Sequence, residues 1–299
     1  MMIRNIRRDK ELLAIISLPF VYYVVFHYIP MYGLLMSFKD YSVAKGIMGS
    51  DWVGLRWFTE FFNSIYFFRL LRNTFLLSFY ELAFGFSIPI LFALLLNEVR
   101  HKYFKNIVQT VSYMPHFISL VVVVGMMVNI LSPNGGLINV IREHMGYEAI
   151  SFMSDPSWFR FLYVSSGIWQ GFGFSSIIYL AAITGLPQEM FEAATIDGAT
   201  RMKKIVYITL PSIMPTIIIL LILNLGGILN VGFEKILLMY NPAVYETADV
   251  ISTYVYRRGI VDHDYGYSAA VGLFNAVVSF IFLIIFNRLS RKVSETSLW

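Results

Sequence analysis

The stretch EAATIDGATRMKKIVYITLPSIMP runs from Glu192 to Pro215, and it constrains the fold and the function more than any other part of the chain. Its first half is polar and rich in helix-forming residues, and long apolar runs lie on both sides of it. A polar segment held between two apolar runs would lie on a membrane surface, where a soluble partner can bind it. The sequence therefore predicts a docking segment here, which we define as residues 187–211.

The composition is that of a membrane protein. Of the 299 residues, 57% are hydrophobic and 14% are charged, whereas about 25% charged is usual in soluble domains. The mean hydropathy is +0.65, and the apolar runs are long enough to cross a ~30 Å hydrocarbon core. The chain has no cysteine, so neither a disulfide nor a Cys-ligated metal site is possible. We therefore expect an all-α polytopic membrane protein.

Six apolar runs are predicted to be membrane spans. The first follows a basic N-terminus, but its length and the lack of a small-x-small cleavage site indicate a retained helix rather than a signal peptide. Pro19 and Pro30 are expected to kink it. The predicted spans are Leu12–Phe38, Thr74–Leu96, Ile107–Leu131, Phe161–Leu186, Ser212–Val231 and Gly266–Phe286.

The distribution of Lys and Arg predicts the orientation of these spans. Basic residues cluster at the N-terminus, at residues 98–106, in the docking segment and at the C-terminus, whereas the other three connections are rich in acidic residues. By the positive-inside rule both termini and the docking segment are cytoplasmic. The net charge of +4 then follows from topology, and nothing in it indicates nucleic-acid binding.

The docking segment is predicted to be a helix, a bend and a second helix. Pro187 suits the first position of a helix that extends to Ala199, and Gly198 supplies the bend. Thr200 can cap a second helix that extends to Ile208, after which Leu210-Pro211 turns the chain into the fifth span.

Such an element is suited to mechanical coupling, because a rigid surface helix can pass a force on to the spans beside it. The alternative is an amphipathic surface helix that binds no partner. Membrane anchoring would favour larger apolar side chains than Ala193 and Ala194, whose small size allows another surface to approach. Glu192 and Asp197 remain available to basic partners, and Ile196 is able to pack.

The pattern E-A-A-x3-G-x9-I-x-L-P is matched at every position from Glu192 to Pro211, and the chain resembles the permease subunits of maltose-type carbohydrate importers, a branch of the type I ABC import systems. The branch that takes up oligosaccharides and polysaccharides in Gram-positive bacteria is the most similar. The resemblance covers about Asn73 to Phe286. Its other pieces are Asn73-Thr74, Tyr113-Met-Pro115, Ile118-Ser119, Asn134–Asn139, Ile168-Trp169-Gln170, Asn230–Ile236 and Gly266–Ala270.

The resemblance implies one half of a transport pathway in the bacterial cell membrane. Its partners would be a second homologous permease, two cytosolic ATPases, an extracytoplasmic substrate-binding protein, membrane lipid and an oligosaccharide. The chain has no G-x4-G-K-[ST] loop, so ATP and Mg would bind to the ATPases and this chain would hold no cofactor. The implied organisation is a first span and its exterior loop in residues 1–72, a permease core in 73–288 with a coupling helix at about 187–201, and a cytoplasmic tail in 289–299.

The resemblance also assigns roles in the docking segment. Glu192 would meet a basic residue of the ATPase, the two alanines would pack in a cleft, and Gly198 would form the turn. The predicted ATPase-coupling residues are Glu192, Ala193, Ala194, Asp197, Gly198 and Arg201.

Polar side chains within the spans are the candidates for the substrate pathway, since a sugar site combines amides with aromatic faces and polar groups in a membrane are costly without a role. The alternative is that they bond neighbouring helices. The candidates are Asn129, Trp169, Gln170, Asn224, Asn230 and Asn275.

Glu81 is the acidic residue that lies clearly inside a span. In an ATP-driven importer it needs no proton-coupling role and would form a structural pair. In a self-sufficient channel or secondary transporter, which is the alternative function, it would be a coupling site. Enzyme chemistry has little support, because the five histidines are scattered without metal-ligand spacing and no G-x-S-x-G elbow is present. We therefore expect no catalytic residue and no metal site.

Overall fold

The structure, a computed structural model, describes residues 10–226 and 231–293, and these are almost entirely helical. In this part of the chain the strands are a two-residue antiparallel ladder that pairs β1, Lys39–Asp40, with β2, Asp51–Trp52. The helices are α1 Lys10–Phe38, α2 Gly46–Gly49, α3 Arg56–Phe62, α4 Phe67–Asn97, α5 Lys102–Phe117, α6 Leu120–Ile130, α7 Leu137–His144, α8 Pro156–Thr184, α9 Gln188–Ile196, α10 from Arg201–Lys204 to Leu210–Gly226, α11 Phe233–Met239, α12 Tyr245–Ala248, α13 Ile251–Tyr256 and α14 Tyr265–Val293.

Several of these helices contain or adjoin turns of other helical types. The π-helical stretches are Val24–Tyr28, Glu81–Phe86, Ile205–Thr209 and Arg257–Val261, and the 3₁₀ stretches are Ile29–Phe38, Met114–Phe117 and Pro242–Val244. In α1, Pro19 lies inside the α-helical stretch Lys10–Tyr23, and the helix type changes to π at Val24 and to 3₁₀ at Ile29, next to Pro30.

Within residues 10–226 and 231–293, five helices are long and apolar enough to cross a membrane, or six if the bent pair α5–α6 counts as one span. The all-α membrane class predicted from the sequence is therefore confirmed. The five are Lys10–Phe38, Phe67–Asn97, Pro156–Thr184, Arg201–Leu225 and Tyr265–Ile285.

The chain divides into two compact units. The described part of Met1–Ser64 forms one unit with Val255–Phe274, and its buried Phe61 packs edge-on against Phe274 at 5.5 Å between ring centroids. The second unit comprises Ile65–Tyr254 and the described part of the chain from Asn275 onward. Its core has two clusters of buried side chains, which include Leu77, Phe159, Tyr163, Ile236 and Val244 in one and Ala93, Tyr179, Ile183 and Ile213 in the other.

The predicted third span, Ile107–Leu131, is not one straight helix. It is divided into α5 and α6, which meet at an angle of 98°. At the break Ser119 caps α6, its hydroxyl accepting a hydrogen bond from the Val122 N–H at 3.4 Å. Pro115, just before the break, lies in the 3₁₀ turn that ends α5. Proline has no backbone N–H to donate in a helix interior, which favours the end of α5 near Pro115.

The fifth span also departs from the prediction, because Leu210-Pro211 does not turn the chain. Helix α10 continues from Arg201–Lys204 through the π-helical Ile205–Thr209 into Leu210–Gly226. A proline in a helix lacks one hydrogen-bond donor and crowds the carbonyl four residues earlier. The wider π turn directly before Pro211 accommodates both effects, so the helix continues instead of bending.

Close packing of α8 on α5 depends on a glycine. A Cβ added to Gly173 would overlap the backbone carbonyl of Ser112 and lie 2.8 Å from its Cβ, whereas one added to Gly171 would meet nothing within 4 Å. Small residues at such contacts let membrane helices approach closely.

We expect Gly173→Ala to lower the free energy of unfolding by about 1–3 kcal/mol, because the backbone of α5 must move away. Gly171→Ala is the matched control and should be neutral or stabilise by up to about 1 kcal/mol, the usual helix preference for alanine. Thermal unfolding of the purified protein in detergent measures both. Equal midpoints for the two variants would contradict the close contact.

Candidate functional site

The first arm of the docking segment is α9, which ends at a glycine in the left-handed conformation. Gly198 has a φ of +75°. The Ala199 N–H donates to the Ala194 carbonyl at 2.9 Å and the Gly198 N–H donates to the Thr195 carbonyl at 3.1 Å. This pair of bonds is a Schellman motif, which requires a residue that tolerates positive φ. The bend predicted at Gly198 is therefore present, with Pro187 as the N-cap of α9 instead of its first residue.

The second arm is tied back to the first. The Thr200 hydroxyl caps α10 by accepting a hydrogen bond from the Lys203 N–H at 3.4 Å, as predicted. The Lys204 ammonium then donates to the Thr195 hydroxyl at 2.6 Å, and that hydroxyl donates to the Phe191 carbonyl at 2.6 Å. The bond from Lys204 to Thr195 crosses the bend, so the two arms are held as one unit.

The outer face of the docking segment is exposed. Glu192, Ala193, Asp197, Gly198 and Arg201 are exposed and Ala194 is half-buried. No residue of α9 is buried. Ile196 is 87% exposed, and it lies one turn from Glu192. An acidic and apolar face of this kind is suited to contact with a partner. The structure thus brings the predicted coupling residues together on one element.

A cavity of about 960 Å³ lies in the second unit, between α4, α8 and α10. This volume is within the range of small-molecule sites in proteins. Aromatic rings and a few polar groups share the wall, which is the composition expected for binding sugars. The polar side chains are Ser78, Glu81, Tyr163, Ser175, Tyr179 and Asn224, and the phenylalanines are Phe86, Phe172 and Phe174.

The predicted pathway residues are not gathered at this cavity. Asn224 lines it and donates to the Leu220 carbonyl of its own helix at 2.8 Å. Asn129 donates to the Gly125 carbonyl at 2.8 Å and is exposed, and Trp169 is 45% exposed. Asn230 lies outside the described residues.

The two remaining pathway candidates, Gln170 and Asn275, each have a defined environment in the structure. Gln170 donates to the Ile118 carbonyl at 2.9 Å, which satisfies a backbone group freed by the break between α5 and α6. His116, also near the break, stacks on Phe174 at 3.9 Å between ring centroids. Asn275 is buried, and its Oδ1 has no hydrogen-bond partner among the described residues.

Glu81 belongs to a polar group that the sequence did not indicate. Glu81 itself is exposed and lines the cavity, whereas its neighbours Tyr163 and Lys235 are buried. The Tyr163 hydroxyl donates to Glu81 Oε2 at 3.3 Å. Lys235 Nζ donates to the Tyr163 carbonyl at 2.6 Å and lies 4.7 Å from the centroid of the Tyr163 ring. Burial lowers the pKa of Lys235 to about 8, and the charge of Glu81 opposes this shift. Because Lys235 comes from a polar connection, no signal in the sequence placed it beside Glu81.

Comparison with known proteins gives a consistent set of relatives. The family model described as "Binding-protein-dependent transport system inner membrane component" matches residues 85–295. The polygalacturonan/rhamnogalacturonan transport system permease protein YteP of Bacillus subtilis is 44% identical, over 98% of this chain and 91% of its own length. Protein LplB of the same organism is 43% identical, over 98% and 92%.

Two solved structures contain chains that are as similar to this chain in sequence as YteP is. One is the crystal structure of a bacterial alginate ABC transporter in complex with an alginate pentasaccharide-bound periplasmic protein. Its matching chain is 44% identical, has a TM-score of 0.92 and covers 99% of both chains. A second, of a bacterial ABC transporter involved in the import of the acidic polysaccharide alginate, also has a TM-score of 0.92 at 44% identity, and covers 98% of this chain and 99% of that one.

Proposed function

We propose that the docking segment of this chain couples a cytosolic ATPase to a sugar pathway. The chain belongs to the family of binding-protein-dependent transport system inner membrane components. The chain is a multi-pass inner-membrane permease subunit of an ABC importer for oligosaccharides or polysaccharides, and it is not itself the ATPase. This assignment replaces the alternative of a self-sufficient channel or secondary transporter with Glu81 as its coupling site.

The observation that carries the coupling proposal is the continuity of the docking segment with a span. Helix α9 is fixed to the start of α10 by the Schellman motif and by the bond from Lys204 to Thr195. Helix α10 then runs without a turn into the apolar Leu210–Gly226. A displacement of α9 by a moving partner is therefore passed directly to the fifth span.

The proposed assembly follows the family's division of labour. Two ATPases bind ATP and Mg, a second homologous permease completes the pathway, and an extracytoplasmic binding protein delivers the sugar. Both termini and the docking segment lie on the cytoplasmic side, in agreement with the distribution of Lys and Arg. The ATPase contacts Glu192, Ala193, Ala194, Asp197, Gly198 and Arg201.

The proposed substrate is an acidic oligosaccharide. One 44%-identical relative is named for polygalacturonan and rhamnogalacturonan, and a 44%-identical structure belongs to a transporter for the acidic polysaccharide alginate. The cavity in the second unit is the proposed part of the route within this chain, since its phenylalanines offer faces to sugar rings and Asn224 and Tyr179 offer hydrogen bonds.

Reconstitution in liposomes tests this function. The chain, its partner permease, the ATPases and the binding protein are expected to accumulate a galacturonate oligosaccharide only when ATP and the binding protein are both present. A preparation of this chain alone should move none. Uptake by the chain alone without ATP would contradict the proposed function.

A further inference from the structure

We propose that Lys235 recognises the carboxylate of an acidic oligosaccharide in the cavity, through a gap that Gly167 leaves in the cavity wall. This proposal rests on the proposed function and assigns a specificity-determining residue to it. Lys235 belongs to α11, outside the candidate spans, and was not among the pathway candidates from the sequence.

The ammonium of Lys235 is buried but has unused hydrogen-bonding capacity. The residue is 7% exposed, and lysine is almost never buried at this level unless it is paired. Its Nζ has three N–H donors. Within residues 10–226 and 231–293, one acceptor is within hydrogen-bond distance, the Tyr163 carbonyl at 2.6 Å. A ligand with an anionic oxygen would satisfy the donors that remain.

The counter-charge nearest to the ammonium is Glu81, and it acts on Lys235 through space instead of by direct contact. Tyr163 lies between them: its ring face is 4.7 Å from Lys235 Nζ, and its hydroxyl donates to Glu81 at 3.3 Å. Glu81 is the first residue of a π-helical stretch in α4, a feature frequent at functional sites. Among the described residues Glu81 is the one charged side chain that lines the cavity, and Lys235 lies next to the wall but outside the lining. A ligand carboxylate would compete with Glu81 for the ammonium.

Two glycines of the cavity wall adjoin this group, although Lys235 is not itself a lining residue. A Cβ added to Gly167 would lie 3.0 Å from Lys235 Nζ, and one added to Gly232 would lie 2.9 Å from the Tyr163 hydroxyl. Both glycines line the cavity. Gly171, on the same wall, would place a Cβ in open space. Side chains are therefore missing at the two positions where they would press on the ammonium and the phenol.

Such a site distinguishes an acid from its neutral analogue. A carboxylate and an ammonium form a charge-assisted hydrogen bond, which is about twice as strong as a neutral one. A methyl ester of the same sugar keeps the shape and the hydroxyls but loses the charge. Lys235 should therefore contribute to binding of the acid and contribute little to binding of the ester.

The experiment measures binding of a trigalacturonate and its methyl ester to the complete transporter in detergent, without the binding protein, whose own specificity would mask the effect. The wild-type complex is expected to prefer the acid. Lys235→Met should weaken binding of the acid by about tenfold or more and change binding of the ester less than about twofold. Lys235→Arg should retain part of the preference, and Glu81→Gln should strengthen binding of the acid, because a competing carboxylate is removed.

Two variants keep the test decisive if Lys235→Met leaves Glu81 unpaired and the protein unfolds. The double variant Lys235→Met with Glu81→Gln removes both charges and should bind acid and ester equally. Gly167→Ala keeps both charges, covers the ammonium, and should also lose the preference. Lys45→Met, which removes an exposed lysine paired with Asp51 at 2.8 Å, is the control and should bind as wild type.

The outcomes separate this proposal from the proposed function. Equal losses for acid and ester in every Lys235 variant would show a purely structural role and overturn the assignment, as would an unchanged preference for the acid. If the reconstituted wild-type complex takes up neither sugar with ATP and binding protein present, the proposed function itself fails and this assignment fails with it.

Discussion

Glu192→Arg is expected to abolish sugar uptake and association with the ATPase while leaving membrane insertion intact. Glu192 is exposed on α9, and its side chain makes no hydrogen bond or ion pair with any other residue that the structure describes. Reversal of a charge that is paired across an interface typically costs about 2–5 kcal/mol of binding free energy, which weakens association by about 30-fold or more. Co-purification of the ATPase with the tagged chain, together with uptake in liposomes, measures the effect.

A matched charge reversal elsewhere separates docking from general effects of charge. Glu143→Arg changes an exposed glutamate in the last turn of α7, away from the docking segment in sequence. It should leave uptake and ATPase association at the level of wild type. If Glu192→Arg behaves like Glu143→Arg, the coupling role of the docking segment is wrong.

Gly198→Asp should have the same effect as Glu192→Arg for a related reason. Aspartate is among the residues that tolerate positive φ best, so the bend at φ +75° is retained at modest cost. A Cβ added at Gly198 would meet no described residue within 4 Å, so the aspartate should project from the exposed face toward the ATPase. Wild-type ATPase association in this variant would show that Gly198 lies outside the contact.

The docking segment was largely predictable because its geometry is set by local interactions. Helix α9 ends at Gly198 through backbone hydrogen bonds that span three and five positions, and Thr200 caps the next helix within one turn. The continuation of α10 through Pro211 was not predictable. It depends on a π turn in Ile205–Thr209, and no residue pattern distinguishes that turn from an ordinary helix.

Long-range packing explains the other features that could not be predicted from the sequence. The break between α5 and α6 is completed by Gln170, 52 residues away from the carbonyl that it binds. Lys235 lies in a connection whose composition is polar, and only its packing against Tyr163 brings it next to the cavity wall. Asn224 is the one predicted pathway residue, among those described, that lines the cavity. Roles in the substrate pathway therefore stay predictions.

Asn73→Ala is expected to produce the largest loss of stability, because this wholly buried amide joins three parts of the second unit. Its Nδ2 donates to the Glu246 carbonyl at 2.8 Å and the Asp249 carbonyl at 3.0 Å, and its Oδ1 accepts a hydrogen bond from Arg160 at 3.0 Å. Alanine would leave two carbonyls and a guanidinium without these bonds. At about 1 kcal/mol for each, the free energy of unfolding should fall by about 3 kcal/mol.

Asn129→Ala is the matched control, since it removes the same amide from an exposed position where it bonds only within its own helix. Its effect should stay within about 0.5 kcal/mol. Thermal unfolding of the purified complex compares the two variants, and equal midpoints would contradict the role given to Asn73. Asn73-Thr74 is also part of the resemblance to the importer family, and the Thr74 hydroxyl accepts a hydrogen bond from the Ile251 N–H at 3.0 Å. The pair therefore anchors the segment around residues 246–251 to α4, which explains on physical grounds why a polar pair stands at the start of an apolar span.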